Sequence, residues 1–548
     1  MKISGSPLAY WISSLFFAIF DKAKPLSSIA SPRKGMVTAD NPRFIRQWSE
    51  VDYSSISLSS KNRADSVASK CKWFPYQKGG GYRLWYGNHD WVVNWEGDGR
   101  ELLNMQSEGY PVGSTNHNLD YIFKPSLVFS KIASSYSHFR FSPQGFLFDD
   151  ASGVCFVRDE SKIYDILGYL CSKTCSQLTS ILNPTVNLQP GNVASLPYIP
   201  AEGEATNIVR QAISISKDDW DSLEGSWEFM RNPLAGSAQD SKSLEASWEA
   251  WSELTRQRRK TLYELQQQNN KIYARIYGVD KEISSDVADD QISLLQADRE
   301  LDIQRLISYA IGCMMGRYSL DEPGLIYARS GGFNFDPSRY TKFPTDADGI
   351  IPVTDESWFE DDAAERVWEF VKVVWGGDTL VENMEWLADS LGRKAGESAA
   401  EAIRRYLTTS FYKDHLQTYK KRPIYWLFSS GKQKAFECLV YLHRYNEGTL
   451  SRMRMEYVVP LQSRMQARID KLTDDIDSAT SSAQQKALQK RKDKLTKQLE
   501  ELRRFDENLR PYADQRITLD LDDGVKVNYG KFGNLLAEVK AITGGKED

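Results

Sequence analysis

A broken apolar stripe near the C-terminal end limits the folds open to this chain. Leu461, Met465, Ile469, Leu472 and Ile476 recur at spacings of four, four, three and four, and Leu495, Leu499 and Leu502 resume the pattern. Such spacing lays side chains along one face of an α-helix. The run Ser478-Ala479-Thr480-Ser481-Ser482 between the two stretches supplies a turn. Residues 450–505 are therefore expected to form a helical hairpin whose exposed faces carry many Lys and Arg.

The opposite pattern governs the first part of the chain. Residues 26–200 alternate in short runs such as Trp91-Val92-Val93-Asn94-Trp95, Phe139-Arg140-Phe141 and Val154-Cys155-Phe156-Val157. Turn-forming strings separate them: Gly79-Gly80-Gly81, Gly97-Asp98-Gly99, Pro143-Gln144-Gly145 and Asp149-Asp150. This predicts a mixed, strand-rich domain, with one helix over Lys162–Ile181 that stops before Asn183-Pro184. Residues 201–345 turn helical, with one long helix over Trp248–Tyr277 and a more apolar one over Ile303–Met315. Residues 330–352 read as a loop or linker. Residues 346–449 form a second helical domain, with Trp358, Trp368, Trp375 and Trp386 spaced to pack inward. Residues 506–548 suggest a strand at Val525-Lys526-Val527 and a closing helix. The expected class is α+β, a strand-rich domain followed by mainly α-helical domains.

Composition excludes little but bounds the partners. With 41% hydrophobic and 26% charged residues in 548, the chain has the length and balance of a soluble protein with real cores. A net charge of −5 provides no global basic field, so any nucleic-acid site must be a local patch. Charge is uneven: residues 345–399 hold 14 acidic and 4 basic side chains, and residues 400–445 hold 9 basic and 3 acidic. Two faces with different jobs, or two solvated helical segments, both fit that change. Six cysteines without a regular framework fit a reducing cytosol, and Cys171 and Cys175 are read as buried thiols, not zinc ligands. Leu8 to Phe20 is nearly continuous apolar sequence, too short to cross a membrane. It is read as a helix, with 1–25 serving as a linker and packing on a core that need not belong to this chain.

Longer motifs carry a resemblance. Lys72-Trp73-Phe74-Pro75-Tyr76-Gln77-Lys78-Gly79-Gly80 leads into Arg83-Leu84-Trp85-Tyr86-Gly87-Asn88 and Val92-Val93-Asn94-Trp95-Glu96. Gly5-Ser6-Pro7-Leu8-Ala9-Tyr10-Trp11 precedes them, and Leu182-Asn183-Pro184-Thr185 and Gly191-Asn192-Val193 follow. Further on come Ser308-Tyr309-Ala310-Ile311-Gly312-Cys313, Gly316-Arg317-Tyr318, Lys421-Arg422-Pro423-Ile424-Tyr425-Trp426-Leu427-Phe428 and Leu519-Asp520-Leu521-Asp522-Asp523-Gly524-Val525. Together these resemble the PglX family, adenine-specific DNA methyltransferases of BREX phage-defence systems, along almost the whole chain. The resemblance implies target recognition in 26–200 and helical support after it.

It also implies parts that this sequence does not show. Family members carry a methyltransferase domain with a Gly-rich loop for S-adenosylmethionine and an Asn-Pro-Pro-Tyr-like motif that holds a flipped adenine. No Asn-Pro-Pro occurs here. The nearest string, Asn41-Pro42-Arg43-Phe44, has Arg43 where the second proline belongs. Gly79-Gly80-Gly81 opens no helix and makes a poor nucleotide loop. The expectation is a chain without its own catalytic residues or cofactor. S-adenosylmethionine would bind in a catalytic domain elsewhere, either a separate methyltransferase chain or the missing half of a fragment.

The expected partner is double-stranded DNA, with other BREX proteins besides, a cytoplasmic setting and no membrane. Lys and Arg neutralise phosphates, and polar side chains on a rigid frame read base edges. In 70–90, Lys72, Lys78 and Arg83 supply charge and Asn88 supplies donors and acceptors, while Trp73, Phe74, Trp85 and Tyr86 read as core. Lys131 to Arg140 reads as a strand pair with Ser135 and Arg140 facing the groove. Lys420, Lys421 and Arg422 precede Pro423 as if opening a helix; they would grip phosphate or pair with the acidic 345–399 segment. A second reading makes the chain a non-enzymatic subunit that docks other defence proteins. Asp522 with Glu538-Val539-Lys540 only faintly echoes a nuclease core.

Overall fold

The computed structural model describes residues 13–105, 113–131, 138–183, 185, 187–239 and 241–544. The chain divides into two units. Unit 1 takes Met1–Trp48, Ser54–Ser226 and Ser252–Ala297; unit 2 takes Ser49–Tyr53, Trp227–Trp251 and Asp298–Asp548. Helices dominate and the strands form several small sheets, so the class is α+β.

Unit 1 is built on two four-stranded sheets and one two-stranded ladder. Its strands are β1 (Lys24–Pro25), β2 (Ala30–Arg33), β3 (Ile45–Gln47), β4 (Trp73–Gln77), β5 (Trp91–Asn94), β6 (Ser126–Ser130), β7 (Phe139–Ser142), β8 (Leu147–Phe148), β9 (Ser152–Val157) and β10 (Pro197–Tyr198). One sheet has the order β2-β9-β6-β7, all antiparallel; the other is β3-β5-β4-β8, with β8 parallel to β4. Period-two alternation sends Leu127, Phe129 and Cys155 into one core, with Ile166 and Leu167 of the helix Ile163–Leu170. Val128, Val154 and Phe156 point the other way, into a second core shared with Phe74, Tyr76 and Val93 of the neighbouring sheet. Both faces are covered, which is why Val154-Cys155-Phe156 is an unbroken apolar run.

Helical expectations in unit 1 need two corrections. Lys162–Ile181 is two helices, Ile163–Leu170 and Lys173–Leu182, because Ser172 serves as an N-cap and its Oγ accepts from Cys175 N at 3.1 Å. The helix Ser14–Lys22 packs Phe16 and Ile19 into this chain's own core, not a foreign one; residues 1–12 lie outside the described set. The long helix runs Leu244–Ile276, and the division between units falls within it. Cys171 and Cys175 are free thiols whose pKa burial pushes up, to about 12 for Cys175.

Unit 2 sets helices around a small antiparallel sheet, β11 (Ile350–Pro352), β12 (Tyr425–Ser429) and β13 (Glu437–Tyr441), in the order β11-β13-β12. The two later strands correct the all-helical expectation for 346–449: Ile424-Tyr425-Trp426-Leu427-Phe428 is aromatic and β-branched enough to favour a strand. Trp375 and Trp386 are buried, whereas Trp358 and Trp368 are half-buried. The hairpin consists of Val459–Ser478 and Ser482–Asp514, and its turn falls where the sequence places it. Leu461, Met465, Ile469 and Leu472 face Leu495, Leu499 and Leu502 as buried stripes. Val525-Lys526-Val527 is not a strand but part of the helix Gly524–Gly530, where Val525 and Tyr529, four apart, are buried and Val527 is exposed. Three alternating residues are too short a signal to choose between those periods.

Candidate nucleic-acid interface

Three strands of unit 1 end at one place, and each is followed by a lysine. Lys34 follows β2, Lys78 follows β4 and Lys131 follows β6. The register brings these ends together. Arg33 pairs with Val154 and Ser130 with Ser152 at the start of β9, and Gln77 pairs with Phe148 at the end of β8. The turn between β8 and β9 holds Asp149 and Asp150. Lys78 Nζ lies 3.2 Å from Asp149 Oδ2, Lys131 Nζ lies 2.8 Å from Asp150 Oδ1, and Lys34 Nζ lies 3.5 Å from the same oxygen. Gly35 makes the approach possible: a Cβ there would sit 2.3 Å from the Asp149 carbonyl oxygen.

Three ammonium groups against two carboxylates leave an excess of positive charge on one strand-end surface. Lys34 is the most exposed of the three, and Lys131 is nearly sealed. The basic surface continues through Arg33 and Lys124, which lie over the Tyr121 ring at 4.9 and 5.4 Å. Arg33 Nη2 donates to Tyr121 Oη at 3.0 Å and holds the phenol pKa below its ordinary value. Local cations of this kind attract phosphate in a salt-dependent way.

The remaining candidates separate. Lys72 lies at the start of β4, with Nζ over the Trp73 ring at 5.7 Å. Arg83 turns inward, its Nη1 3.1 Å from Asp219 Oδ2 and its guanidinium 4.9 Å from the Trp220 ring. Asn88 is buried with φ of 62°, and its Nδ2 donates to Gly81 O at 2.9 Å, closing the Gly-rich loop. Asn94 is likewise buried, donating to Glu101 at 3.0 Å. Ser135 lies outside the described residues.

Arg140 does not face outward as the alternation suggested. It pairs with Val128 across β6 and β7, is 1% exposed, and has no hydrogen-bond partner on its guanidinium among the described residues. Burial, with Arg83 nearby, pulls its pKa down to about 10. Burial also lowers His89 to about 3, among Tyr86, Phe146 and Trp220.

In unit 2, Lys420 and Lys421 end a helix and do not begin one. The helix Phe411–Thr418 closes through Lys421 N to Leu416 O at 2.7 Å, with both lysines in the left-handed region at φ of 49° and 59°. Both are exposed, and Arg422 Nε lies 3.9 Å from Glu50 Oε1, not against the acidic 345–399 segment.

Two strings weighed for catalysis are committed elsewhere. Asn41–Phe44 is a single helical turn in which Phe44 is fully buried and Arg43 Nε donates to Glu101 at 2.7 Å, so no ring there is open to stack on a base. Gly79 N donates to Ser152 Oγ, and no helix follows the glycines.

Two relatives align with nearly all of this chain. It is 43% identical to the adenine-specific methyltransferase BrxX of Escherichia coli O9:H4 (strain HS), over 99% of the chain and 46% of that protein. It is 36% identical to the adenine-specific methyltransferase PglX of Lacticaseibacillus casei (strain Zhang), over 99% of the chain and 45% of that protein. The chain is a homologue of BrxX and PglX. It spans about half the length of these curated relatives. No protein-family profile matches it.

Homology to BrxX and PglX reaches both units, so the strand-end lysines belong to the stretch shared with them. Sequence reasoning missed Lys34 and the part played by Asp149 and Asp150. The available signal was positional, a lysine at the first residue after each of three strands.

Proposed function

We propose that this chain is the DNA-recognition and scaffold portion of a site-specific adenine DNA methyltransferase in a BREX phage-defence system. The observation that carries the reading is the convergence of Lys34, Lys78 and Lys131 at one strand-end surface in a chain related to two adenine-specific methyltransferases. Lys34, Lys78 and Arg33 contact duplex phosphates there, Lys131 neutralises Asp150 beneath them, and Lys72 adds charge at the start of β4. Lys420, Lys421 and Arg422 give unit 2 a second cationic corner. Methyl transfer to the adenine amino group takes place on a catalytic segment that holds S-adenosylmethionine, and unit 2 provides surfaces for other BREX proteins. The work is done on cytoplasmic DNA; among the described residues no helix is long and apolar enough to cross a membrane.

The test is selection of random duplexes by the purified chain, followed by sequencing. One enriched motif, bound less tightly as salt rises, is expected. A flat pool with no measurable affinity at low salt would sink the proposal. Methylation of DNA by this chain with S-adenosylmethionine alone would overturn the division of labour.

A further inference from the structure

The strand-end surface of unit 1 does not stop at its lysines. Past Lys34 the chain runs on beside β8: Met36 N donates to Phe148 O and Asp150 N donates to Met36 O, both at 2.9 Å. Val37 then pairs with Thr115, and the two exchange both backbone hydrogen bonds at 2.9 Å. Residues opposed in this way put their side chains on one face, about 5 Å apart. Met36 is buried, whereas Val37, at 42%, and Thr115 are exposed. The loop that follows is pinned to the same surface. Asn116 Nδ2 donates to Ser114 Oγ, which donates to Leu102 O, each at 2.5 Å. Asn118, at φ of 62°, donates from Nδ2 to the Lys34 carbonyl at 3.0 Å, and its own carbonyl accepts from Tyr121 N at 2.9 Å. Tyr121 is the ring that Arg33 and Lys124 cover. His117, between the two anchored asparagines, is exposed.

We propose that Val37, Thr115 and His117 read base edges in the major groove, beside the phosphates that Lys34 and Lys78 contact; the inference rests on that duplex contact. Phosphate contacts position a protein on DNA, and base contacts specify the sequence. Val37 and Thr115 hold two methyl-bearing side chains next to each other, and the methyl group that a base edge offers in the major groove is the thymine C5-methyl. The His117 imidazole can donate an N–H to purine N7, an acceptor that adenine and guanine share. The preferred feature is therefore a thymine with a purine as its neighbour. The ladder pair and the two asparagine anchors fix the backbone of these residues in advance, so binding orders little besides side chains.

The experiment selects random duplexes with the full parent chain and with two variants, Val37→Ala/Thr115→Ala and His117→Ala, and measures affinity for the parent's best site by anisotropy. The parent is expected to enrich a thymine beside a purine. Deoxyuridine in place of that thymine, a test that needs no variant, should weaken the parent about fourfold, the worth of one methyl. Val37→Ala/Thr115→Ala should show neither that penalty nor the thymine preference. Its slope of log affinity against log salt should match the parent's, because no cation is lost. His117→Ala should flatten the purine preference, roughly fivefold in the parent, and keep the thymine. A thymine that tolerates deoxyuridine without loss, or variants that keep the parent's motif and affinity, overturns the inference while duplex contact at the lysines stands; the exposed patch then belongs to a protein partner or to solvent. Duplex binding by the parent with no motif at all has the same effect, and a parent with no affinity for duplex removes both readings.

Discussion

Arg83 and Asp219 form an ion pair sealed within unit 1, with Nη1 3.1 Å from Oδ2 and the carboxylate side chain 1% exposed. Burial raises the Asp219 pKa above the usual range, while Arg83 and the Leu295 amide, which donates to Oδ1 at 2.8 Å, pull it back down. Arg83→Ala therefore strands a buried charge and is expected to cost about 3 kcal/mol in chemical denaturation at pH 7. The deficit should shrink at low pH, where Asp219 takes a proton. A loss below about 0.5 kcal/mol at pH 7 would show that the pair does not hold unit 1 together.

The strand-end lysines make the opposite prediction. Lys34 and Lys78 changed together to Ala should weaken duplex binding across sequences and flatten the slope of log affinity against log salt by up to about 2, near 0.9 per phosphate lost. Lys34→Ala alone, at an exposed position, should change stability by no more than about 0.5 kcal/mol. Fluorescence anisotropy over a salt series gives the slope. An unchanged slope in the double variant would remove these residues from the interface.

Lys78 and Arg83 looked equivalent in sequence and are not. Both stand near aromatics and glycines, but the partner that decides each role lies far along the chain, at Asp149 and Asp219. Long periodic segments were legible: the hairpin stripes and the Leu244–Ile276 helix follow from spacing alone. Short alternating strings were not uniformly so. Phe139-Arg140-Phe141 is a strand as expected, yet Arg140 faces a second core because the neighbouring sheet covers the face that alternation assigns to solvent. Val525-Lys526-Val527 joined a helix because three residues cannot fix a period. The convergence of three strand ends depends on strand order, which no local pattern encodes.

Lys421 tests the corrected helix end. Its φ of 59° lies where a Cβ is strained and glycine is not. Lys421→Gly should leave stability unchanged or raise it by up to about 1 kcal/mol, measured by the denaturation midpoint. The same variant removes an exposed charge and should reduce the salt slope for duplex by about one if unit 2 touches phosphate. A large destabilisation would contradict the left-handed helix end.

Asp346 offers a pH test confined to unit 2. Its Oδ1 accepts from the amides of Asp348, Gly349 and Ile350, at 3.1, 2.6 and 3.2 Å. Burial and the adjacent Asp348 carboxylate push its pKa up to about 7, and Asp361 adds to the repulsion. Tyr457 Oη lies 3.0 Å from Asp348 Oδ2 and 2.7 Å from Asp361 Oδ2, with one proton to share between them, while Arg444 spends its guanidinium on the Asp346 and Ala347 carbonyls. A carboxyl whose folded pKa is raised binds more protons folded than unfolded between about pH 4 and pH 7. Its contribution therefore favours the folded state at the acid end, falls as pH rises through that window and levels off above it. Asp346→Asn keeps the oxygen that accepts the amides and removes the charge. It should be nearly neutral at pH 4 and stabilising at pH 8 by an amount on the order of 3 kcal/mol or less, given about 1.4 kcal/mol per pKa unit. Denaturation of both proteins at the two pH values cancels the background from other groups. A variant that is equally stable relative to the parent at both would show that Asp346 titrates at its ordinary value in the folded chain.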